Sequence, residues 1–177
     1  MAAAPRAILS WSSGKDSAFA LHDTRRLGLA DIAGLLTVVN EVHERVAMHA
    51  VRDTLLERQA QAAGLPLIRV PIPDPCTDEV YAARMAAAME RVKADGIHHV
   101  VFGDLFLEDV RHYPEERLAE AGMTAIFPLW HRYTRRLSEE MIASGLAAHL
   151  TCIDPKLVPA GLAGSRVDAA LLSALPA

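Results

Sequence analysis

The chain has 177 residues with a formal net charge of -4, and 51% of its residues are hydrophobic. That length is most simply one domain over residues 1–177, with enough apolar residues for a single core. Charges of both signs are interspersed, which argues against nucleic acid as the main partner. No stretch approaches the roughly 18 apolar residues that span a membrane, and Cys76 and Cys152 lack metal-site spacing. We expect a soluble, cytoplasmic protein.

Short apolar runs alternate with helical patterns along the whole chain. Strands are predicted at residues 7–11, 32–39, 67–72, 98–104, 124–129 and 147–153. Helices are predicted at residues 17–27, 48–63, 77–93, 114–122, 136–144 and 167–174. This alternation predicts a Rossmann-like α/β fold, with five to six parallel strands and helices on both faces of the sheet. In such sheets ligands bind beyond the carboxyl ends of the strands, near the switch in strand order.

The first predicted strand runs into the sequence Ser-Ser-Gly-Lys-Asp-Ser at residues 12–17, which opens a helix. Free backbone amides, serine hydroxyls and a lysine at a helix N-terminus suit an oxyanion ligand. Gly14 lets the backbone approach phosphate oxygens, and Lys15 supplies a point charge against a polyphosphate. The plainer alternative is an ordinary turn whose helix is capped by Ser13 or Asp16.

This loop is not a Walker A motif. Gly14-Lys15 is followed by Asp16 instead of Ser or Thr, and Leu9 stands where the first glycine of that motif belongs. The loop instead resembles the pyrophosphate loop of the N-type ATP pyrophosphatases, usually Ser-Gly-Gly-x-Asp-Ser, and departs from it at Ser13. Those enzymes split ATP at the α-phosphate and release pyrophosphate.

Polar clusters also follow later strands. Asn40 follows the second predicted strand, and Gly103-Asp104 ends the fourth, with Glu108 and Arg111 close behind. Asp104 or Asp16 would help to hold Mg²⁺, which prefers one or two carboxylates plus phosphate oxygens. Arg111 would grip an anionic or carbonyl group of a second substrate, and Glu108 would orient the nucleophile or accept its proton. The alternative is a surface ion pair worth under about 1 kcal/mol.

The spaced combination of motifs resembles the diphthine–ammonia ligase family, within the adenine nucleotide alpha hydrolase superfamily of HUP-type folds, and in particular a short bacterial-type member. Besides the serine-rich loop, it comprises Gly-Asp-x-x-x-Glu-Asp-x-Arg at residues 103–111, Pro-Leu-Trp at 128–130, and Gly-Leu segments at 145–148 and 161–162. The family's ligases activate a protein-bound carboxylate with ATP, release pyrophosphate and then transfer ammonia to give an amide.

The resemblance implies an ATP-dependent, AMP-forming C–N ligase with ATP and Mg²⁺ as cofactors. Lys15, Asp104, Glu108 and Arg111 would then be catalytic, with Trp130 as a wall of the acceptor site. Asp16 and Asp104 would hold the metal. The cofactor-binding set would be Ser12, Ser13, Gly14, Lys15, Asp16, Ser17, Asn40 and Gly103.

Several alternatives stay open at this stage. The chain could be a nucleotide-binding module that turns nothing over, or a sulfur-transferring relative that acts on tRNA, with Cys76 as a sulfur carrier. His112 and His131 lie on predicted site loops and are candidate general bases. The sequence does not identify the acceptor, the amine donor or the oligomeric state, and a homo-oligomer is left open.

Overall fold

The computed structural model describes residues 3–175, with the backbone alone at residues 109 and 110. The chain divides into a first unit that ends at Trp130 and a second unit that begins at His131. The single domain expected over residues 1–177 remains a prediction. Within the described residues, no helix combines the length and the apolar character needed to cross a membrane.

The first unit alternates strands and helices from one end to the other. Its elements are β1 (Arg6–Ser10), α1 (Lys15–Leu27), β2 (Asp31–Asn40), β3 (Arg45–Val46), α2 (Asp53–Ala63), β4 (Leu67–Ile72), α3 (Asp78–Ala94), β5 (His99–Val101), α4 (Glu108–Glu120) and β6 (Thr124–Ile126). The second unit contains α5 (Thr134–Ala143), a 3₁₀ turn (Ala160–Leu162) and α6 (Ala169–Ala174).

The sheet has six strands, and all pairings except one are parallel. β1 lies between β2 and β5, β4 pairs with the other edge of β2, and β6 pairs with β5. The chain therefore leaves β1 toward β2 and β4, and later returns to place β5 on the opposite side of β1. This strand order confirms the predicted α/β architecture, and its switch lies between β1 and β5. In sheets of this type, ligands generally bind at that point.

β3 is a short antiparallel addition that lies beyond the carboxyl end of β1. The carbonyl of Leu36 accepts from the amide of Trp11 at 2.8 Å, and the carbonyl of Val38 accepts from the amide of Ala47 at 2.9 Å. Carbonyls two residues apart in a strand point to the same edge. β1 and β3 therefore pair with the same edge of β2, and β3 does so beyond the point where β1 ends. The turn after β3 is thereby held next to the loop that follows β1.

The core lies on both faces of this sheet. On one face Ile8, Leu36 and Val100 pack with apolar residues of α3 such as Met89 and Val92. The alternate strand residues, which point to the opposite face, are buried as well: they are Ala7, Leu9, Leu35 and Val101. Burial on both faces explains why these strands read as continuous apolar runs.

Several predicted elements differ from the structure, and the strands predicted over 98–104 and 124–129 are short, since they end at Val101 and Ile126. The helix predicted over 48–63 begins only at Asp53, because residues 45–46 pair with β2 and the next four residues form a turn. The helix predicted from Pro114 begins at Glu108 and contains the proline. Residues 147–153 are not a strand: Leu150 exchanges backbone hydrogen bonds with the Gly164–Ser165 loop, and His149 forms only an isolated bridge. β3 is the sixth strand instead.

Candidate functional site

The serine-rich loop joins β1 to α1, and its own hydroxyl groups hold its shape. The amide of Gly14 donates to Ser12 Oγ at 3.3 Å, Ser12 Oγ donates to Ser17 Oγ at 3.2 Å, and Ser17 Oγ donates to the carbonyl of Gly14 at 3.0 Å. Gly14 is the N-cap residue, and no side chain of the described residues caps the helix. The alternative of an ordinary turn capped by Ser13 or Asp16 is therefore wrong, and the first amides of α1 remain available to an anion.

Ser13 carries two signs of an unusual environment. Its φ is 65°, in the left-handed region that favours glycine. Its Oγ is buried and finds no hydrogen-bond partner among the described residues. The backbone explains why pyrophosphatase loops usually have glycine at this position. A buried hydroxyl without a protein partner beside free helix amides suits a bound oxyanion as its missing partner.

Lys15 and Asp16 form an ion pair at the mouth of this loop. The ammonium Nζ lies 2.7 Å from one carboxylate oxygen and 2.8 Å from the other. Both side chains are about one third exposed, at 37% and 36%. Exposed ion pairs contribute under about 1 kcal/mol, so Lys15 can exchange this partner for a phosphate at little cost.

The loop after β5 packs directly on this site. A β-carbon on Gly103 would lie 2.8 Å from the carbonyl carbon of Asp16 and 2.9 Å from the amide nitrogen of Ser17. Only glycine allows this approach, because the neighbouring atoms are backbone and cannot move aside. The half-buried Asp104 therefore follows close to Asp16. Burial, and then the negative charge of Asp16, raise the pKa of the Asp104 carboxyl.

Two carboxylates that repel each other beside the serine-rich loop fit a divalent cation. The described residues contain no group of three or more Asp, Glu, His or Cys side chains that would hold a metal by themselves. Mg²⁺ does not need such a cage, because one or two carboxylates, water and substrate phosphates satisfy it. Asp16 and Asp104 are the residues that would hold it.

Arg111 lies in an aromatic cluster formed by Phe102, Phe127 and Trp130. Its Cζ is 4.7 Å from the ring centroid of Phe127 and 4.6 Å from that of Trp130. Phe102 stacks on Phe127 at 5.2 Å. The Nε of Arg111 also donates to Glu115 at 2.8 Å, so the guanidinium is fixed by contacts on several sides. The structure thus brings Arg111 and Trp130 together, and their roles at an acceptor site remain predictions.

The other predicted residues are less closely tied to the loop. Glu108 is the first residue of α4 and is exposed; its charge acts on Arg111. The Oδ1 of Asn40 accepts from the amides of Val42 and His43, each at 3.0 Å, so Asn40 shapes the turn after β2. Asn40 also lines a cavity of about 410 Å³ at the carboxyl ends of β2 and β4. The ligand roles of both residues remain predictions.

The two candidate general bases, His112 and His131, belong to different units of the chain. His112 pairs with Glu116 on the surface of α4 at 3.0 Å, with 72% of its side chain exposed. His131 begins the second unit, with a left-handed φ of 57°. Their roles as bases remain predictions.

Three residues beside the loop were missed by sequence reasoning. Trp11 donates through Nε1 to Gln59 Oε1 at 3.1 Å, and Gln59 Nε2 donates to the carbonyl of Ser13 at 3.4 Å. His49 lies against Gly14. Gln59 and His49 come from α2 and the turn before it, so only the tertiary fold brings them here. The sequence held one signal for Gln59: it is a polar residue on the face of α2 that also carries the buried Leu56 and Ala60.

Comparison with known proteins adds an independent finding. The family model described as Diphthamide synthase N-terminal domain matches residues 5–125. The match covers the serine-rich loop, Asp104 and Arg111, and it ends just before Phe127 and Trp130. No curated protein matches the chain.

Proposed function

Because the chain belongs to the diphthamide synthase N-terminal domain family, we propose that it is an ATP-dependent, AMP-forming C–N ligase. It would activate a carboxylate or amide oxygen of an acceptor as an adenylate, release pyrophosphate, and then transfer ammonia or another amine. One observation carries the proposal: Gly103, which directly precedes Asp104, packs against the uncapped start of α1 at the switch point of the sheet, beside a buried Ser13 hydroxyl that has no partner among the described residues.

In this proposal the loop binds the pyrophosphate end of ATP. The first amides of α1, the hydroxyls of the loop serines and the ammonium of Lys15 would surround the β- and γ-phosphates. Lys15 would leave Asp16 and stabilise the charge that grows on the departing pyrophosphate. Freed from this ion pair, Asp16 would join Asp104 as a ligand of Mg²⁺, which neutralises phosphate charge when bound.

The adenosine end would lie toward β2. The cavity beyond β2 and β4 supports this placement, because Asn40 lines it beside the apolar side chains of Val46 and Ile72. A planar base can lie against such apolar side chains while polar groups of the same lining, Asn40 among them, reach the atoms at its edge. The α-phosphate would then lie between the loop and the Asp104 side of the crevice.

The acceptor would bind on the Arg111 side. Fixed between two rings and Glu115, the guanidinium of Arg111 is preorganised to hold an anionic or carbonyl group. Trp130 would form the wall of this site, and Glu108 would orient the nucleophile. The acceptor oxygen attacks the α-phosphorus as the bond to pyrophosphate breaks; the amine nitrogen then attacks the activated carbon, and AMP leaves.

Labelled ATP tests this proposal. The protein is incubated with α-labelled ATP, Mg²⁺, ¹⁵N-ammonia and a panel of carboxylate acceptors, and nucleotides and amides are measured. AMP, pyrophosphate and a ¹⁵N-amide support the ligase, and Lys15→Ala should abolish them while the exposed Lys156→Ala should not. ATP that stays bound and intact favours a nucleotide-binding module. ADP with inorganic phosphate contradicts both.

A further inference from the structure

We propose that His49 is a ligand for the β- or γ-phosphate of the nucleotide, supplied by the turn between β3 and α2. This inference rests on the proposed function, because it assigns a further residue to the same ATP site. His49 comes from none of the motifs that mark the site in the sequence. Its assignment rests on its contact with the loop, on the way its own turn is anchored, and on its chemistry.

The contact with Gly14 is the main observation. Gly14 has φ -91° and ψ 170°, an extended conformation that any residue adopts. Its backbone therefore does not require glycine. A β-carbon there, however, would lie 2.7 Å from Nε2 and 3.0 Å from Cδ2 of His49. The imidazole thus lies in the space that a side chain at position 14 would occupy, directly beside the start of α1.

The turn that carries His49 is anchored on both sides. The amide of Ala50 donates to the carbonyl of Val46 at 2.9 Å, and the guanidinium of Arg45 donates to the carbonyl of Ala50 at 2.7 Å. The amide of Val46 donates to the carbonyl of Val51 at 2.8 Å. Ala50 itself has a left-handed φ of 51°, a backbone conformation that is unfavourable in a residue with a β-carbon. These bonds fix the position from which His49 reaches the loop.

Burial does not account for this arrangement, because His49 is exposed. Among the described residues its ring has no hydrogen bond or ion pair, whereas His43 pairs with Asp74 at 2.7 Å and His112 with Glu116. The Nε2 of His49 and the Ser12 hydroxyl both lie beside Gly14, at the uncapped start of the helix. An imidazole N–H in that position can donate to a phosphate oxygen. The loop amides are proposed to hold the pyrophosphate end of ATP, so His49 would contact that end.

The test compares ligands that have or lack the outer phosphates. Binding of ATP, inorganic pyrophosphate and AMP is measured by calorimetry for the wild type, His49→Ala and His49→Gln. His98→Ala is the matched control, because His98 is an exposed histidine beside the amino end of β5, away from the loop. A hydrogen bond to a charged group contributes about 1.5–3 kcal/mol, so His49→Ala should weaken ATP and pyrophosphate binding by about ten- to a hundredfold.

AMP binding should change by less than about twofold, and His49→Gln should restore part of the loss because its amide also donates. Equal losses for AMP and ATP, unchanged pyrophosphate binding, or tighter binding after removal of the imidazole would each overturn the assignment. Tighter binding would mean that His49 obstructs the loop. If the wild type binds neither ATP nor pyrophosphate, the proposed function fails first and this assignment falls with it. Normal wild-type binding that His49→Ala leaves intact overturns only this assignment.

A second measurement tests the contact itself through stability. Gly14→Ala should destabilise the wild-type protein by a small amount, because the new methyl group forces the exposed imidazole to move. The same change in a His49→Ala background should cost less. A double-mutant cycle of thermal unfolding should therefore show coupling between the two positions. Additive effects would contradict the contact on which the proposal depends.

Discussion

Replacing Ser13 with glycine should make the protein more stable and, at the same time, a weaker binder of ATP. Ser13 holds a left-handed φ of 65°, and its buried hydroxyl has no partner among the described residues. Glycine relieves the backbone strain and removes the hydroxyl. The proposed function gives that hydroxyl a phosphate oxygen as its partner, so the same change removes one hydrogen bond to ATP.

The magnitude follows from three contributions. Left-handed backbone in a residue with a β-carbon costs about 1–2 kcal/mol, and a buried hydroxyl without a partner costs about 1–3 kcal/mol. The greater freedom of glycine in the unfolded chain offsets about 0.5–1 kcal/mol of the gain. The free energy of unfolding should therefore rise by at least about 1 kcal/mol, or about 2–4 °C in the midpoint of thermal unfolding. Loss of one hydrogen bond to a charged phosphate oxygen should weaken ATP binding by about ten- to a hundredfold.

Urea denaturation followed by circular dichroism measures the first effect, and calorimetric titration with ATP measures the second. Ser13→Ala is the matched control, because it removes the hydroxyl but keeps the β-carbon; its gain in stability should be smaller. Ser12→Gly should instead destabilise, since Ser12 bonds to Gly14 and Ser17. A Ser13→Gly protein that is less stable than Ser13→Ala would refute the backbone argument. Tighter ATP binding would refute the role of the hydroxyl.

Three other substitutions test the remaining parts of the site. Gly103→Ala should destabilise by about 1–3 kcal/mol in urea denaturation, because its methyl group meets the backbone of Asp16 and Ser17, whereas Gly161→Ala has open space and should be nearly neutral. Asp104→Asn should lower Mg²⁺-dependent pyrophosphate release by about a hundredfold or more. It should not lower the free energy of unfolding at pH 7, because the pKa of Asp104 is raised, so folding disfavours its ionised form. Any gain in stability should disappear as the pH falls below the ordinary aspartate pKa, to about 3, where the carboxyl is protonated in both the folded and the unfolded state; a loss of stability at pH 7 would contradict this. Arg111→Lys should slow adenylate formation by about tenfold or more without changing ATP affinity. Lysine can neither stack on the two aromatic rings nor reproduce the guanidinium contacts with Glu115. An equal loss of ATP affinity would instead mean that Arg111 binds the nucleotide.

The elements that sequence reasoning placed well are those fixed by local signals. β4 has the predicted bounds, and α3 starts after Thr77, whose side chain accepts from the amide of Val80. A proline on each side of the β4 run and a capping threonine act within a few residues. The convergence of Gly103 with the first loop also followed from a general rule, because parallel strands end at one edge of the sheet.

The elements that were missed depend on pairing between distant segments. Residues 45–46 have no strand signal of their own; they pair because β2 extends beyond the end of β1 and leaves an edge free. Residues 147–153 are apolar enough for a strand, but they bond instead to the loop around Gly164. In both cases an available partner decided the structure more than the composition of the segment did.

In the serine-rich loop, some features are determined by the local motif and others by the tertiary fold. The position whose backbone favours glycine, 13, carries serine, and the position whose backbone accepts any residue, 14, carries glycine. From the sequence, Gly14 appeared to serve the approach of phosphate alone. The structure adds a contact from a turn 35 residues further along the chain, since His49 lies in the space beside it. The motif sets where the helix amides lie, but the side chains that surround a ligand there come from strands and turns that the motif does not encode. Further residues that would contact a phosphate at this loop should therefore be sought first in the segment after β3.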